Sequence, residues 1–169
     1  GIRKQFAAIT PQVDALHDLY QILHKRKAKR GAIDFDSQET RILFDGQRKI
    51  SQIIPVDRTA AHRLIEECML CANVCSAKFL EKVDIPALYR VHEGPSEDRL
   101  KSVRDFLAEL GIGLGGGQDP QPEDYQRVLR SAKGRDDAPV IQSVLLRSMS
   151  QAVYQPDNLG HFGLAFEAY

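Results

Sequence analysis

The sequence predicts an α+β fold in which helix predominates, and three observations carry that expectation. Apolar residues recur at spacings of three and four along several stretches, a stretch around Asp45-Gly46 switches to strand-like runs, and Gly and Pro punctuate the joints. With 169 residues, 43% apolar and 27% charged, the chain has the composition of one globular domain with a real core. No apolar run approaches the ~20 residues needed to cross a bilayer. Gly1 to Phe6 has no apolar stretch of the kind a signal peptide carries, so a cytoplasmic location is expected.

Val13, Leu16, Tyr20 and Leu23 mark an amphipathic helix from Pro11 to about Ala28, with Thr10 as its N-cap. It runs into His24, Lys25, Arg26, Lys27, Lys29 and Arg30, and Gly31 suits the left-handed position that follows a helix. That basic run is either a solvated helix end matched to the dipole or a phosphate contact. Ile33 with Phe35, then Arg41 to Phe44, then Lys49 to Val56 read as short strands about an Asp45-Gly46 turn.

From Asp57 to about Val83 runs the longest expected helix, with Ala61, Leu64, Ile65, Cys68, Ala72, Cys75 and Phe79 on one stripe. Pro86 to Val91 reads as a strand with Pro at its first position. Ser96 caps a helix through Leu110, with Leu100, Val103, Phe106, Leu107 and Leu110 inward and Gly111 beyond it. A loop from Gly111 to Gln121 leads to Pro122 at the first position of a helix ending near Ala132. A further helix starts at Asp137 and Pro139, carries Ile141, Val144, Leu145, Ser148 and Ala152 on one face, and stops before Pro156. Gly160 to Tyr169 alternates in a strand-like way.

Lys and Arg number 23 and so do Asp and Glu, for a formal net charge of zero. Nucleic-acid binders usually carry a basic excess, so contact with a polynucleotide here needs a local patch or one wall of a shared channel. Cys68, Cys71 and Cys75 are odd in number and clustered, which argues against disulfides. They invite a metal, but no second pair completes a tetrahedral set and His62 lies at the wrong helical angle, so they read as small apolar residues. Gly111-Ile-Gly113-Leu-Gly115-Gly116 formally matches a dinucleotide fingerprint, yet follows a helix rather than a strand and reads as a loop. Asp34 and Asp36 share one face of the expected strand, but two carboxylates are thin support for Mg²⁺, and solvated edge acids fit as well. Glu66 and Glu67 suit the positive end of the long helix and fall on or near its polar side. No recognisable nucleophile stands near His161, and Arg90 with His92 reads as an exposed strand edge.

Five strings reach further. Arg30-Gly-Ala-Ile-Asp-Phe-Asp36, Leu64-Ile-Glu-Glu-Cys-Met-Leu-Cys-Ala-Asn73, Pro86-Ala-Leu-Tyr-Arg-Val-His92, Leu145-Leu-Arg-Ser-Met149 and Gly160-His-Phe-Gly-Leu164 stand in order and at family-like separations. Together they closely resemble the RNB catalytic domain of the ribonuclease II family, over almost the whole chain. The resemblance implies processive 3′→5′ hydrolysis of RNA to nucleoside 5′-monophosphates, with Mg²⁺ ions polarising the scissile phosphate and activating water.

The family's aspartate cluster (Asp, five residues, Asp-x-Asp-Asp) has no counterpart here and would lie upstream. Its Ser-Pro-Ile-Arg-Arg segment would follow Tyr169, and its OB-fold RNA-binding domains are missing. Residues 1–169 are therefore expected to be part of that catalytic domain, inactive alone, with no catalytic residue and no metal ligand of their own. What the resemblance places here is a wall of the RNA channel. Phe35 matches an aromatic that stacks on a base near the RNA 3′ end, although it also fits an ordinary inward strand residue. Glu66 matches an acid near the 3′-terminal nucleotide that accepts from its ribose hydroxyl. The partner is then single-stranded RNA, with no membrane, and apolar surface left uncovered favours self-association. A non-catalytic helical module that binds protein partners is the alternative.

Overall fold

The computed structural model describes residues 1–35 and 39–169, so Asp36 lies outside the described residues. Among the described residues, six α-helices and four short strands follow in the order α1 (Ile2–Gln5), α2 (Thr10–Arg30), β1 (Glu39–Phe44), β2 (Ile50–Val56), α3 (Ala60–Lys82), β3 (Tyr89–Val91), α4 (Glu97–Glu109), α5 (Pro122–Ala132), α6 (Ala138–Ser148) and β4 (Val153–Gln155). The expected α+β class with predominant helix and short antiparallel strands is what forms.

The main core sits between α4, α5 and α6. Val103 and Leu107 meet Tyr125, Val128 and Ala132 of α5 and Ile141, Leu145 and Met149 from α6 and its end, while Ile33 plugs the side. Leu107, Tyr125, Ile141 and Leu145 are wholly buried. Full burial of side chains of this size stabilises by about 1.5–3 kcal/mol each. The two hydroxyls inside this cluster are answered: those of Tyr125 and Ser148 lie 3.2 Å apart, and Ser148 donates to the Leu145 carbonyl at 2.7 Å. A smaller cluster joins Ala77 of α3 to Tyr89, Val91 and Ala168.

Several boundaries differ from expectation, each for a local reason. Thr10 does not cap α2 from outside. It lies within the helix and its hydroxyl donates back to the Phe6 carbonyl at 2.9 Å, the local bonding open to a helical Thr. Ile33 and Phe35 are not in a strand; the Ile33 amide instead donates to the Gly163 carbonyl at 3.0 Å. The long helix begins at Ala60 rather than Asp57, because Thr59 and His62 cap it reciprocally. Helix α6 stops at Ser148, and Ala152 precedes a strand that pairs antiparallel with β3 (Tyr89 opposite Gln155, Val91 opposite Val153). The tail is not a strand but a 3-10 turn at Phe162–Leu164 closed by Ala165 at φ 53°.

The stripe expected to bury α3 does not do so. Ala61, Ile65, Ala72, Cys75 and Phe79 are exposed, and the residues the helix buries are Glu67 and Ala77. Glu66 and Glu67 therefore part company, since Glu67 faces α2 rather than solvent. The β1–β2 hairpin forms as expected around Asp45, whose Oδ1 accepts from the amides of Gln47 (2.8 Å) and Lys49 (2.9 Å).

Candidate nucleic-acid interface

The site grows from the end of α2. Gly31 ends it at φ 78°, and a Cβ there would stand 3.0 Å from the Glu123 Cβ, so the turn is both left-handed and tight against α5. The chain then crosses α5, fixed by the Asp34 amide, which donates to Gln126 Oε1 at 2.8 Å. That crossing delivers Phe35 to the edge of the core, where it packs on the main cluster and lines a cleft of about 410 Å³. Arg58, Arg63, Arg130 and Lys133 line the same cleft, with Asp34 the one acid among the described residues that line it.

Glu66 meets this cleft through Arg58. Both carboxylate oxygens accept from the Arg58 guanidinium, Oε1 from Nε at 2.9 Å and Oε2 from Nη2. These hydrogen bonds hold the Glu66 carboxyl below the usual carboxylate range, more than burial raises it, and lift the Arg58 guanidinium in turn. A carboxylate has about four lone-pair sites, so Glu66 can still accept from a hydroxyl. Phe35 and Glu66 thus stand on either side of Arg58, which lines the cleft beside one and grips the other.

The basic end of α2 resolves into two populations. His24, Lys25, Arg26 and Lys29 are exposed, whereas Lys27 and Arg30 turn inward. Lys27 Nζ reaches Asp34 Oδ1 at 2.8 Å and Glu67 Oε1 at 3.7 Å. Arg30 Nε donates to the Leu164 carbonyl at 3.0 Å and its guanidinium lies 3.9 Å over the Phe166 ring, tying α2 to the tail. Neither a solvated helix end nor a phosphate contact describes these two residues.

His161 and His92 form a pair with ring centroids 4.8 Å apart. His92 Nε2 donates to the Ser150 carbonyl (2.8 Å) and its Nδ1 accepts from the Gly163 amide (2.9 Å); His161 Nδ1 accepts from the Leu164 amide (3.2 Å). Burial lowers both, and the neighbouring His92 adds to the effect on His161, which falls to about 4. With its acceptor nitrogen occupied by a backbone amide, His161 is a fastener of the tail rather than a general base. Arg90 lies 5.1 Å over the Tyr154 ring on the next strand.

Among the described residues no group of three or more His, Cys, Asp or Glu is gathered to hold a metal. Asp34 and Glu67 are engaged by Lys27 and Glu66 by Arg58, so these acids do not fit a divalent ion. The three thiols are free, with Cys71 and Cys75 exposed rather than buried as expected; desolvation and the neighbouring Cys75 raise the Cys71 thiol. The glycine loop packs on protein: a Cβ on Gly116 would meet the Pro120 Cα at 2.4 Å and Asp124 Oδ2 at 2.5 Å.

Arg58, Arg63, Arg130 and Lys133 were not singled out from the sequence. One signal was available: Arg63 sits near the start of α3, where the helix dipole disfavours a cation and where no acid stands in the first turn. Arg130 and Lys133 close α5, where cations are electrostatically ordinary.

The chain belongs to the RNB domain family, whose model matches residues 2–169. Within that family it is similar to ribonuclease R. It is 51% identical over 168 residues to ribonuclease R of Vibrio cholerae and 46% identical over 168 residues to that of Escherichia coli K12. In both it matches 99% of this chain, and 20% and 21% of the respective relative. The chain thus spans about a fifth of the length of these relatives. Apo RNase R of Mycoplasma genitalium superposes with a TM-score of 0.87 at 26% identity, over 93% of this chain and 25% of that one. The same enzyme in complex with ribose methylated single-stranded RNA gives 0.86 at 27% identity, with the same coverage.

Proposed function

We propose that this chain is the part of an RNB catalytic domain that walls the RNA channel of a processive 3′→5′ exoribonuclease, one that hydrolyses RNA to nucleoside 5′-monophosphates. The observation that carries it is the cleft beside Phe35. Among the described residues Arg63, Arg130 and Lys133 line it beside Arg58, which Glu66 pairs, and beside the Asp34 carboxylate, and in a chain of zero net charge they form the local patch that a polyanion needs. An aromatic at the edge of such a cleft gives sequence-tolerant base stacking, worth about 1–3 kcal/mol per base. Glu66, held ionised by Arg58, is an acceptor for the ribose 2′-hydroxyl, the group that separates RNA from DNA.

In this reading the Mg²⁺ ions of the reaction belong to acids outside residues 1–169, and these residues bind RNA without cleaving it. The protein works in the cytoplasm, and no helix among the described residues is long and apolar enough to cross a membrane. A second reading, a helical module that docks protein partners or a second copy, draws on the exposed apolar residues of α2 (Val13, Leu16, Leu19, Ile22).

The test is a titration of 3′-labelled single-stranded RNA and of the matching DNA, followed by incubation with Mg²⁺. Binding that prefers RNA, weakens in Phe35→Ala and leaves the RNA intact is expected. Metal-dependent decay of the RNA by the purified chain, or affinity indifferent to Phe35, would overturn the reading.

A further inference from the structure

A second hollow lies at the other end of α6. It has a volume of about 780 Å³ and is lined by Ser96, Arg99, Leu146, Arg147, Met149, Ser150 and Gln151, two guanidinium groups with no carboxylate. Arg99 and Arg147 also line the adjoining hollow, which they share with Asp98. Arg99 is held in place by one bond, Nη1 to the Met149 carbonyl at 2.9 Å, which leaves its remaining N–H groups for a ligand. Among the described residues neither Arg99 nor Arg147 takes part in an ion pair. The Ser96 hydroxyl caps nothing, although it stands at the N-cap of α4.

Two features set this apart from ordinary surface charge. Arg99 occupies the first turn of α4, where the dipole disfavours a cation, directly behind Glu97 and Asp98, the acids that the same helix end favours. The two hollows also open along one face of α6. Gln142 lines the Phe35 cleft and Leu146 lines this one, four residues apart and so on the same side of the helix. From Gln142 to Arg147 is about 7.5 Å along the axis, at 1.5 Å per residue.

We propose that Arg99 and Arg147 form a second phosphate site, in which two guanidinium forks grip one phosphate group and Ser96 donates to it. The phosphate is either a phosphodiester of the strand that stacks on Phe35, running along α6, or a free phosphate or nucleoside monophosphate. The first source rests on the proposed RNA-binding function; the second does not.

The experiment compares the chain with an Arg99→Gln/Arg147→Gln pair. One arm follows adenosine 5′-monophosphate and inorganic phosphate by chemical-shift changes. The other follows the salt dependence of affinity for a single-stranded RNA 12-mer. Each phosphate neutralised contributes about 0.7 to the slope of log affinity against log salt, so a strand contact at this one phosphate predicts a slope shallower by about 0.7 in the double variant. Loss of mononucleotide and phosphate binding with an unchanged RNA slope assigns the site to free phosphate.

No change in either arm overturns the proposal. Phe35→Ala runs alongside: if it leaves RNA affinity intact while the arginine pair still governs phosphate, the channel reading fails and this one stands. If Phe35→Ala weakens RNA binding and the arginine pair moves nothing, the reverse holds. Should the glutamine pair melt early, Arg99→Lys/Arg147→Lys replaces it. That pair keeps the charge and loses the fork, so it should weaken phosphate binding with the salt slope retained, and unchanged phosphate binding would again overturn the site.

Discussion

The Lys27 ammonium stands 3.7 Å from the Glu67 carboxylate between α2 and α3, with side chains only 14% and 8% exposed. It is the ionic tie that joins the two longest helices, and it explains why an acid occupies the inward side of α3. Removing one partner of a buried pair strands the other charge at about 3–5 kcal/mol. The long contact, and the field of Arg30 on Glu67, place Lys27→Met nearer 2–3 kcal/mol. Chemical denaturation checks this, and Lys27→Met with Glu67→Leu should recover most of the loss.

His161 predicts an acid limit to the fold. Its folded pKa of about 4 lies below the ordinary 6.5, so the unfolded chain binds protons first as the pH falls. The stability this neutral ring contributes is fully present above pH 6.5 and is lost progressively toward pH 4. Melting temperature measured across that window should fall, and fall less in His161→Asn, which keeps an acceptor for the Leu164 amide.

Gly116 and Gly113 separate packing from phosphate binding in the glycine loop. Gly116 has φ 81° and no room for a Cβ, whereas nothing lies within 4 Å of a Cβ on Gly113. Gly116→Ala should cost about 2 kcal/mol, or roughly 4–8 °C in Tm for a chain this size. Gly113→Ala should change little, as thermal melts of the two variants will show.

Phe35→Ala should weaken single-stranded RNA about 10-fold or more, the loss of one stacked base, with equal effect on different sequences. Arg130→Gln, by contrast, should act through salt dependence, lowering the slope by about 0.7. Anisotropy titrations at several salt concentrations separate the two contributions.

The thiols should behave as free groups. Cys71 and Cys75 are exposed and Cys68 is half-buried, so alkylation of the folded chain should label the first two ahead of the third. Zinc retained by the reduced protein after dialysis would contradict this.

Helix α5 was legible from its sequence because Pro122 at the first position and the acids Glu123 and Asp124 behind it both suit a helix start. The α3 stripe was misread because the helix faces its neighbour with an ion pair, which no apolar periodicity reports. The end of α6 was misread because Ala152 continues the pattern while the backbone turns extended at Met149 (ψ 155°) to pair with β3, some sixty residues earlier. Phe35 and Glu66 came from resemblance rather than periodicity. The cations around them were hidden because the cleft is assembled from four separate segments, near residues 34, 58, 130 and 140.

The β1–β2 hairpin makes a two-stranded sheet with no third strand among the described residues, and Ile42, Phe44, Ile50 and Ile53 present one bare apolar face. Isolated two-stranded ribbons are marginal in water. Its amides should therefore trade their protons for deuterium through a cheap local opening, long before those of α4 and α6 do so by global unfolding. The arm is the first piece of the molecule to come undone and the easiest for a neighbour to capture.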